Sequence, residues 1–225
     1  MSERLEELLG HRFARPELLT EAMTHRSALA NRRGPRKAHS NERLEFIGDR
    51  VLGLLIAEWL AERYPAEQEG ALGRRLAWLV SQPVLAEVAA AIGLEQALSV
   101  APGEERAGVR KRATVLADAL EAAIGALYLD GGLDAARAFI RRAWRAPVDE
   151  QSAPPKDPKS GLQERLHALG AEAPRYETIE QEGPPHAPSF TILVRSGALS
   201  GTGSAGSKRA AEQRAALDLL GKLPR

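Results

Sequence analysis

The chain has 225 residues, 44% of them hydrophobic and 27% charged, with a formal net charge of +1. This composition is that of an ordinary folded protein with one large or two average domains. The absence of cysteine excludes disulfides and thiolate metal sites. The near-neutral charge excludes nucleic-acid binding by a uniformly basic surface, so any binding of a polyanion needs local patches or metal ions.

The sequence also bears on location. No apolar run approaches the roughly 20 residues that span a bilayer, so we expect no membrane partner. The first ten residues are acidic and amphipathic, unlike a secretory signal. We therefore expect a cytoplasmic protein.

Residues 3–31 predict two helices. The first ends at Gly10, and the second begins at Pro16, which suits the first turn of a helix. A basic stretch follows at residues 32–39. It is either a solvated loop or a contact for phosphates.

Residues 42–60 predict a helix with two distinct faces. Ser40 or Asn41 is expected to cap its start. Apolar side chains recur at steps of three and four: Leu44, Ile47, Val51, Leu52 and Leu55. A second face carries only acids: Glu42, Glu45 and Asp49. Like charges at this spacing destabilise a helix slightly, and a row of carboxylates is what a hard, oxygen-seeking cation requires.

The middle of the chain predicts further helices. Pro65 ends the acidic helix, and one long helix is expected over residues 71–93 after a turn that contains Glu69. Residues 102–112 read as a charged loop. The next helix, 113–129, is apolar around most of its circumference except at Asp118 and Glu121, and we expect it to be central to the core.

The rest of the chain has a different character. Residues 147–156 are rich in proline and are interpreted as a linker. Residues 157–225 predict the order α-β-β-β-α, with alternating strands after one amphipathic helix and before another. We therefore predict two domains: an all-α domain over residues 1–146 and an α+β domain over residues 157–225.

The acids can be read in two ways. Burying an unpaired carboxylate is costly, so Asp118 and Glu121 need either a cation or a basic partner. An acidic row such as that of Glu42 and Glu45 is usually a solvated helix face, and arginine is abundant enough to pair with buried acids. If the two helices pack face to face, at least four carboxylates converge, which favours Mg²⁺ or Mn²⁺.

Four motifs resemble the ribonuclease III family. Residues 41–49, NERLEFIGD, differ from the family's signature only at Ile47, where leucine is usual. Residues 24–27 (THRS), 69–72 (EGAL) and 116–132 (LADALEAAIGALYLDGG) match its other elements in order and spacing. Gly73 and the pair Arg75-Leu76 depart from the pattern. Residues 157–225 resemble a double-stranded-RNA-binding domain in their order of elements, a GPxH turn and the helix start GSKRAAEQ; Ala205 replaces a common glycine.

The resemblance implies a site and a reaction. It places the metal ligands at Glu45, Asp49, Asp118 and Glu121 and the catalytic acids at Asp49, Glu121, Glu42 and Glu69. It also implies RNA contacts by Gln163, Glu164, His186, Ser207, Lys208 and Arg209, and a homodimer into which Phe46 inserts. The implied activity is Mg²⁺-dependent cleavage of double-stranded RNA in rRNA and mRNA precursors, with Mn²⁺ as a substitute and no small-molecule cofactor. Products are expected to carry 5′-phosphate and 3′-hydroxyl ends with short 3′ overhangs. From spacing alone, Phe46 would be ordinary core.

Two other functions are weighed against this one. A catalytically silent RNA-binding relative would be expected to lack one or more of the six acids, all of which are present. A helical phosphohydrolase acting on nucleotides would be expected to carry a His-Asp dyad, and it leaves residues 157–225 without a role.

Overall fold

The structure is a computed structural model, which describes residues 2–29, 39–155, 157–183 and 188–224. The described residues form two compact units that meet at the Pro154–Pro155 bond. The first unit is helical, and the second combines a three-stranded sheet with two helices. The predicted fold class, an all-α domain followed by an α-β-β-β-α domain, is confirmed.

The first unit contains eight α-helices within the described residues. They are α1 (Ser2–Leu9), α2 (Pro16–Ala22), α3 (Glu42–Arg63), α4 (Glu69–Leu79), α5 (Gln82–Ala91), α6 (Pro102–Arg106), α7 (Ala113–Ala143) and α8 (Arg145–Glu150). Short 3₁₀ turns lie at Arg26–Leu29, Leu94–Ala97 and Val109–Lys111.

Helices α3 and α7 form the centre of this unit. The predicted apolar face of α3 is confirmed, because Leu44, Val51, Leu52 and Leu55 are buried and Ile47 is partly buried against the same core. Helix α7 buries residues on most of its circumference between Val115 and Leu127, as predicted. The two helices carry all of the predicted metal-binding acids, so their packing decides the geometry of the site.

Three local predictions were wrong. The helix expected over residues 71–93 is divided at Ser81, and Pro83 lies in the first turn of α5, where its missing N–H costs nothing. The expected loop 102–112 contains α6 and a 3₁₀ turn. Helix α3 begins after Asn41 without a side-chain cap; instead the Ser40 hydroxyl donates a 2.7 Å hydrogen bond to Glu42.

The end of the first unit lies beyond the start of the predicted linker. Helix α8 extends to Glu150, and its Val148 is buried in the main core. Trp144 is fully buried, and its indole N–H donates to the Leu79 carbonyl at 2.9 Å. Residues 147–151 therefore pack with the helical unit, although residues 147–156 as a whole have the composition of a spacer.

The second unit is a sheet covered on one face by two helices. Helix α9 (Pro158–Ala168) is followed by β1 (Arg175–Glu182), β2 (Ser189–Ser196), β3 (Leu199–Ala205) and α10 (Lys208–Lys222). The strands are antiparallel in the order β1-β2-β3. Gly201 and Gly203 let α10 lie directly on β3, since an added Cβ at Gly203 would meet the Ala215 nitrogen at 2.3 Å. Within the described residues, no helix is long and apolar enough to cross a membrane.

Candidate metal centre and nucleic-acid interface

The two acidic helices cross at a pair of glycines. A Cβ added to Gly48 of α3 would lie 1.7 Å from the Glu121 carbonyl oxygen, and one added to Gly125 of α7 would lie 2.2 Å from the Leu44 carbonyl oxygen. No other residue type fits such an approach. The backbones therefore touch at this point, and the acids one turn away on each helix are brought together.

Three carboxylates converge beside this crossing. Glu45 from α3 and Asp118 and Glu121 from α7 each present an oxygen within 4.8 Å of the other two. All three side chains are partly buried. None forms an ion pair with a basic side chain within the parts of the chain that the structure describes. The alternative in which each acid is neutralised by its own arginine does not describe these three.

The proximity of the acids disfavours their charged forms. Burial, followed by the charges of Asp49, Glu45 and Asp118, raises the pKa of Glu121 to about 7. Burial and the neighbouring carboxylates also raise the pKa of Glu45. Burial raises the pKa of Asp118, although His25 and Arg26 oppose this. A cation placed among the three would favour their charged forms and so lower their pKa values.

The other predicted acids lie outside this group of three. Asp49 is close enough to raise the pKa of Glu121, but its carboxylate pairs with the adjacent Arg50. Glu42 is exposed and accepts the hydrogen bond from Ser40. Glu69 is exposed at the first position of α4. The structure thus brings three of the six acids together, with Asp49 beside them.

A cleft of about 630 Å³ opens next to the acids. Glu45 and Asp118 line it together with His25, Arg26 and Arg112. The imidazole Nδ1 of His25 lies 2.8 Å from the Ser27 hydroxyl oxygen. None of these three basic residues was predicted to lie at the site from the sequence. The signal for His25 and Arg26 was that the 24–27 motif belongs to the same set of motifs as the acids.

The residues present fit a hard divalent cation. The donors are carboxylate oxygens, which Mg²⁺ and Mn²⁺ prefer, and no sulfur or imidazole is among the three. Their raised pKa values show that the protein alone does not compensate the negative charge. A cation is the simplest group that would.

The second unit presents five of the six predicted RNA-contact residues on its surface. Gln163 and Glu164 are exposed on α9 and line a groove of about 540 Å³. Ser207 caps α10 by accepting a 3.3 Å hydrogen bond from the Ala210 N–H, and Lys208 and Arg209 are exposed in its first turn. His186 lies outside the described residues, as does the basic stretch 32–39 apart from His39.

Comparison with known proteins decides the family. Residues 15–147 match the family model described as ribonuclease-III-like, and residues 158–223 match the double-stranded RNA binding motif. A ribonuclease 3 of Alkalilimnicola ehrlichii is 44% identical over 225 residues, which cover 98% of this chain and 95% of the relative. The chain belongs to the ribonuclease III family. The resemblance identified in the sequence is confirmed.

Further relatives agree with this assignment. A ribonuclease 3 of Mesorhizobium japonicum is 45% identical over 95% of this chain and 96% of its own length. The crystal structure of the nuclease domain of ribonuclease III from Campylobacter jejuni matches with a TM-score of 0.57 and 34% identity, covering 69% of this chain and 97% of that domain. The protein is therefore an endoribonuclease of the ribonuclease III type, with its nuclease fold in the first unit.

One residue of the ribonuclease III signature has an unexpected environment. Phe46 is 62% exposed, so the alternative that it is ordinary core was wrong. The Arg50 guanidinium lies 4.2 Å above its ring. With the exposed Leu54, these side chains form a stripe at four-residue spacing on α3. We name residues 46, 50 and 54 the α3 stripe; it remains open to solvent in the single chain.

Proposed function

We propose that this ribonuclease III cleaves double-stranded RNA with the help of divalent cations held by Glu45, Asp118 and Glu121. The single observation that supports this most strongly is the convergence of those three carboxylates within 4.8 Å, without an ion-pair partner in the described residues. Asp49 completes the proposed set, and Glu42 and Glu69 act as supporting acids from the surrounding surface.

The proposed cation is Mg²⁺, with Mn²⁺ as a substitute. Ions of this kind, when bound to phosphodiester substrates, activate water and stabilise the leaving oxygen. The chain's own contribution is to orient the carboxylates through the glycine crossing. The carboxyl of Glu121, whose pKa is near 7, must lose its proton to become a ligand. We infer that the products carry 5′-phosphate and 3′-hydroxyl ends.

The second unit is proposed to hold the duplex by its shape. A-form RNA hides its base edges in a deep major groove, so proteins contact 2′-hydroxyls and phosphates instead. Gln163 and Glu164 carry groups suited to 2′-hydroxyls. Lys208 and Arg209 stand at a capped helix start, where free N–H groups and the helix dipole also favour phosphate.

We further propose that two copies associate through the α3 stripe. An exposed phenylalanine beside exposed leucine is more costly in water than at an interface. One Campylobacter jejuni structure, 35% identical with a TM-score of 0.57, is described as showing flexibility in a region involved in dimer formation. A homodimer would place one site on each strand and leave a short 3′ overhang. We infer that the enzyme works in the cytoplasm on rRNA and mRNA precursors.

The test is cleavage of a long end-labelled RNA duplex with and without Mg²⁺, with product ends mapped on both strands. We expect cuts only with the cation, and staggered between strands. The matched variant is Glu121→Gln, which keeps the side chain's size but removes its charge. It should abolish cleavage and still bind the duplex. Normal cleavage by this variant would show that Glu121 is not part of the metal site.

A further inference from the structure

A buried arginine lies outside the site described above. Arg75, which departs from the family pattern, is 1% exposed on α4. Its guanidinium donates to both oxygens of Glu67, at 2.7 and 2.8 Å, and lies 3.8 Å above the Tyr64 ring. Such a bidentate ion pair is geometrically specific, because two hydrogen bonds fix the planar guanidinium relative to the planar carboxylate.

The remaining nitrogen of this guanidinium binds Gln151, the residue that follows α8. Arg75 Nη1 donates to the Gln151 carbonyl oxygen at 2.7 Å, and the Tyr64 hydroxyl donates to the same oxygen at 3.3 Å. Gln151 is only 7% exposed, and Val148 before it is buried. We name Arg75, Glu67 and Tyr64 together the Gln151 anchor. After Gln151 the chain makes no further side-chain hydrogen bond in the described residues until Asp157.

The other end of this connection is fixed by a separate set of bonds. The Asp157 carboxylate accepts from the Lys159 and Ser160 N–H groups and from the Gln213 amide. These bonds attach Asp157 to α9 and α10 of the RNA-binding unit. Only residues 152–156, SAPPK, stand between the two fixed points. This tether can span no more than about 20 Å, and its two prolines favour an extended form.

We propose that Arg75 is a positioning residue for RNA engagement: through the Gln151 anchor it sets the length of the tether between the nuclease unit and the RNA-binding unit. Without the anchor, the end of α8 would be held only by the solvent-exposed Arg63–Asp149 pair and by the burial of Val148, and the free segment could begin after Trp144. The tether would grow from five residues to twelve. The effective concentration of one unit near the other falls roughly as the −3/2 power of tether length, so about a fourfold loss is expected. This inference rests on the proposed function, because it assumes that both units engage one duplex.

The first experiment does not require catalysis. Hydrogen exchange is compared by mass spectrometry in the wild type, in Arg75→Met and in the double variant Glu67→Gln/Arg75→Met, which avoids leaving the partly exposed Glu67 carboxylate unpaired. Arg145→Met is the matched control, since Arg145 lies in the same segment and is 82% exposed. We expect faster exchange confined to residues 145–152 in both Arg75 variants and none in the control. Unchanged exchange in the double variant would overturn the proposal.

The second experiment measures the consequence for RNA. Binding of the duplex is measured without divalent cations, so that the RNA is not cut. Both Arg75 variants should bind it about fourfold more weakly than the wild type. The double variant has the wild-type net charge, so a loss caused by charge alone would appear in Arg145→Met and not in the double variant. That result would contradict the proposal. With Mg²⁺, KM should rise while kcat at saturating duplex is retained; a fall in kcat with KM unchanged would indicate damage to the nuclease unit. Failure of the wild type to cleave would refute the proposed function and leave the exchange result standing.

Discussion

Gly48 and Gly125 face each other across the crossing of α3 and α7. A Cβ on Gly48 would lie 3.0 Å from the Gly125 nitrogen, and one on Gly125 would lie 3.2 Å from the Gly48 nitrogen. The two helices can approach this closely only because both side chains are absent. The acids at positions 45 and 121 lie within one turn of this contact, so the separation of the helices at the glycines sets the distance between the carboxylates.

Replacing Gly48 by alanine should disrupt both the packing and the site. The added methyl would overlap the Glu121 carbonyl oxygen at 1.7 Å, so the helices must move apart. We expect a loss of about 1–3 kcal/mol in the free energy of unfolding, or more. The cleavage rate should fall by more than the increase in unfolded protein explains, because the carboxylates move apart. Urea unfolding and cleavage rates measured on the same preparations check this.

Gly53 offers the matched control on the same helix. An alanine Cβ there would meet nothing within 4 Å. Glycine to alanine inside a helix stabilises by roughly 0.5–1 kcal/mol, so Gly53→Ala should leave cleavage intact and raise stability slightly. Equal behaviour of the two alanine variants would refute the role of the crossing.

The sequence predicted the acids but not their grouping. Periodicity placed Glu45 and Asp49 on one face of α3, and both are there. Periodicity could not show that Asp49 pairs with the adjacent Arg50, because this pairing depends on the conformations of the two side chains. Nor could it place His25 beside Asp118, since only tertiary packing brings the 24–27 motif to α7.

The fold was predictable where a hydrophobic pattern repeats over several turns. The prediction failed where such a pattern is short. The buried face of α7 repeats over several turns, so its position followed from sequence. The division between α4 and α5 occurs at Ser81, and a proline two residues later is compatible either with a kink or with a new helix start. Residues 145–150 form a helix whose Val148 is buried together with the preceding Trp144, and the linker-like composition of residues 147–156 does not reveal this.

The stability of the metal-free nuclease unit should fall as pH rises. The pKa of Glu121 is about 7 in the folded protein and close to 4.5 when the carboxyl is free, so the folded state binds the proton more tightly. The stabilisation is complete below about pH 4.5 and is lost as pH rises through 7. The pKa values of Glu45 and Asp118 are raised in the same direction.

Urea unfolding with a chelator between pH 5 and pH 8 measures this dependence. All three tryptophans, at positions 59, 78 and 144, lie in the first unit, so their fluorescence reports that unit alone. Glu121→Gln cannot ionise and should show a smaller loss of stability over the same range. Adding Mg²⁺ should restore stability mainly at high pH. If the stability of the wild type and of Glu121→Gln fell equally with pH, the raised pKa of Glu121 would not be the cause of the pH dependence.

Binding of duplex RNA should depend on salt through the start of α10. Each phosphate contact that is lost lowers the slope of log affinity against log salt by about one. Lys208→Ala/Arg209→Ala should therefore weaken binding and reduce the slope by up to about two. Lys222→Ala removes one positive charge from the other end of the same helix, where the ammonium pairs with Asp218. Its slope should equal that of the wild type; a reduction of about one, the amount expected for one removed charge, would indicate that net charge, not the helix start, governs binding.

Phe46→Ala should weaken self-association. An exposed phenylalanine that becomes buried at an interface contributes about 2 kcal/mol. A homodimer of the variant loses two such contributions, about 4 kcal/mol in total, which corresponds to roughly a thousandfold rise in the dimer dissociation constant. Sedimentation velocity over a range of protein concentrations measures the shift. The control is Leu217→Ala, because Leu217 is 55% exposed on α10 and lies outside the α3 stripe. Because each chain carries its own three acids, a Phe46→Ala monomer should retain the pH-dependent stability of the metal-free site while losing paired cuts on opposite strands. An unchanged dimer would place the interface elsewhere on the nuclease unit.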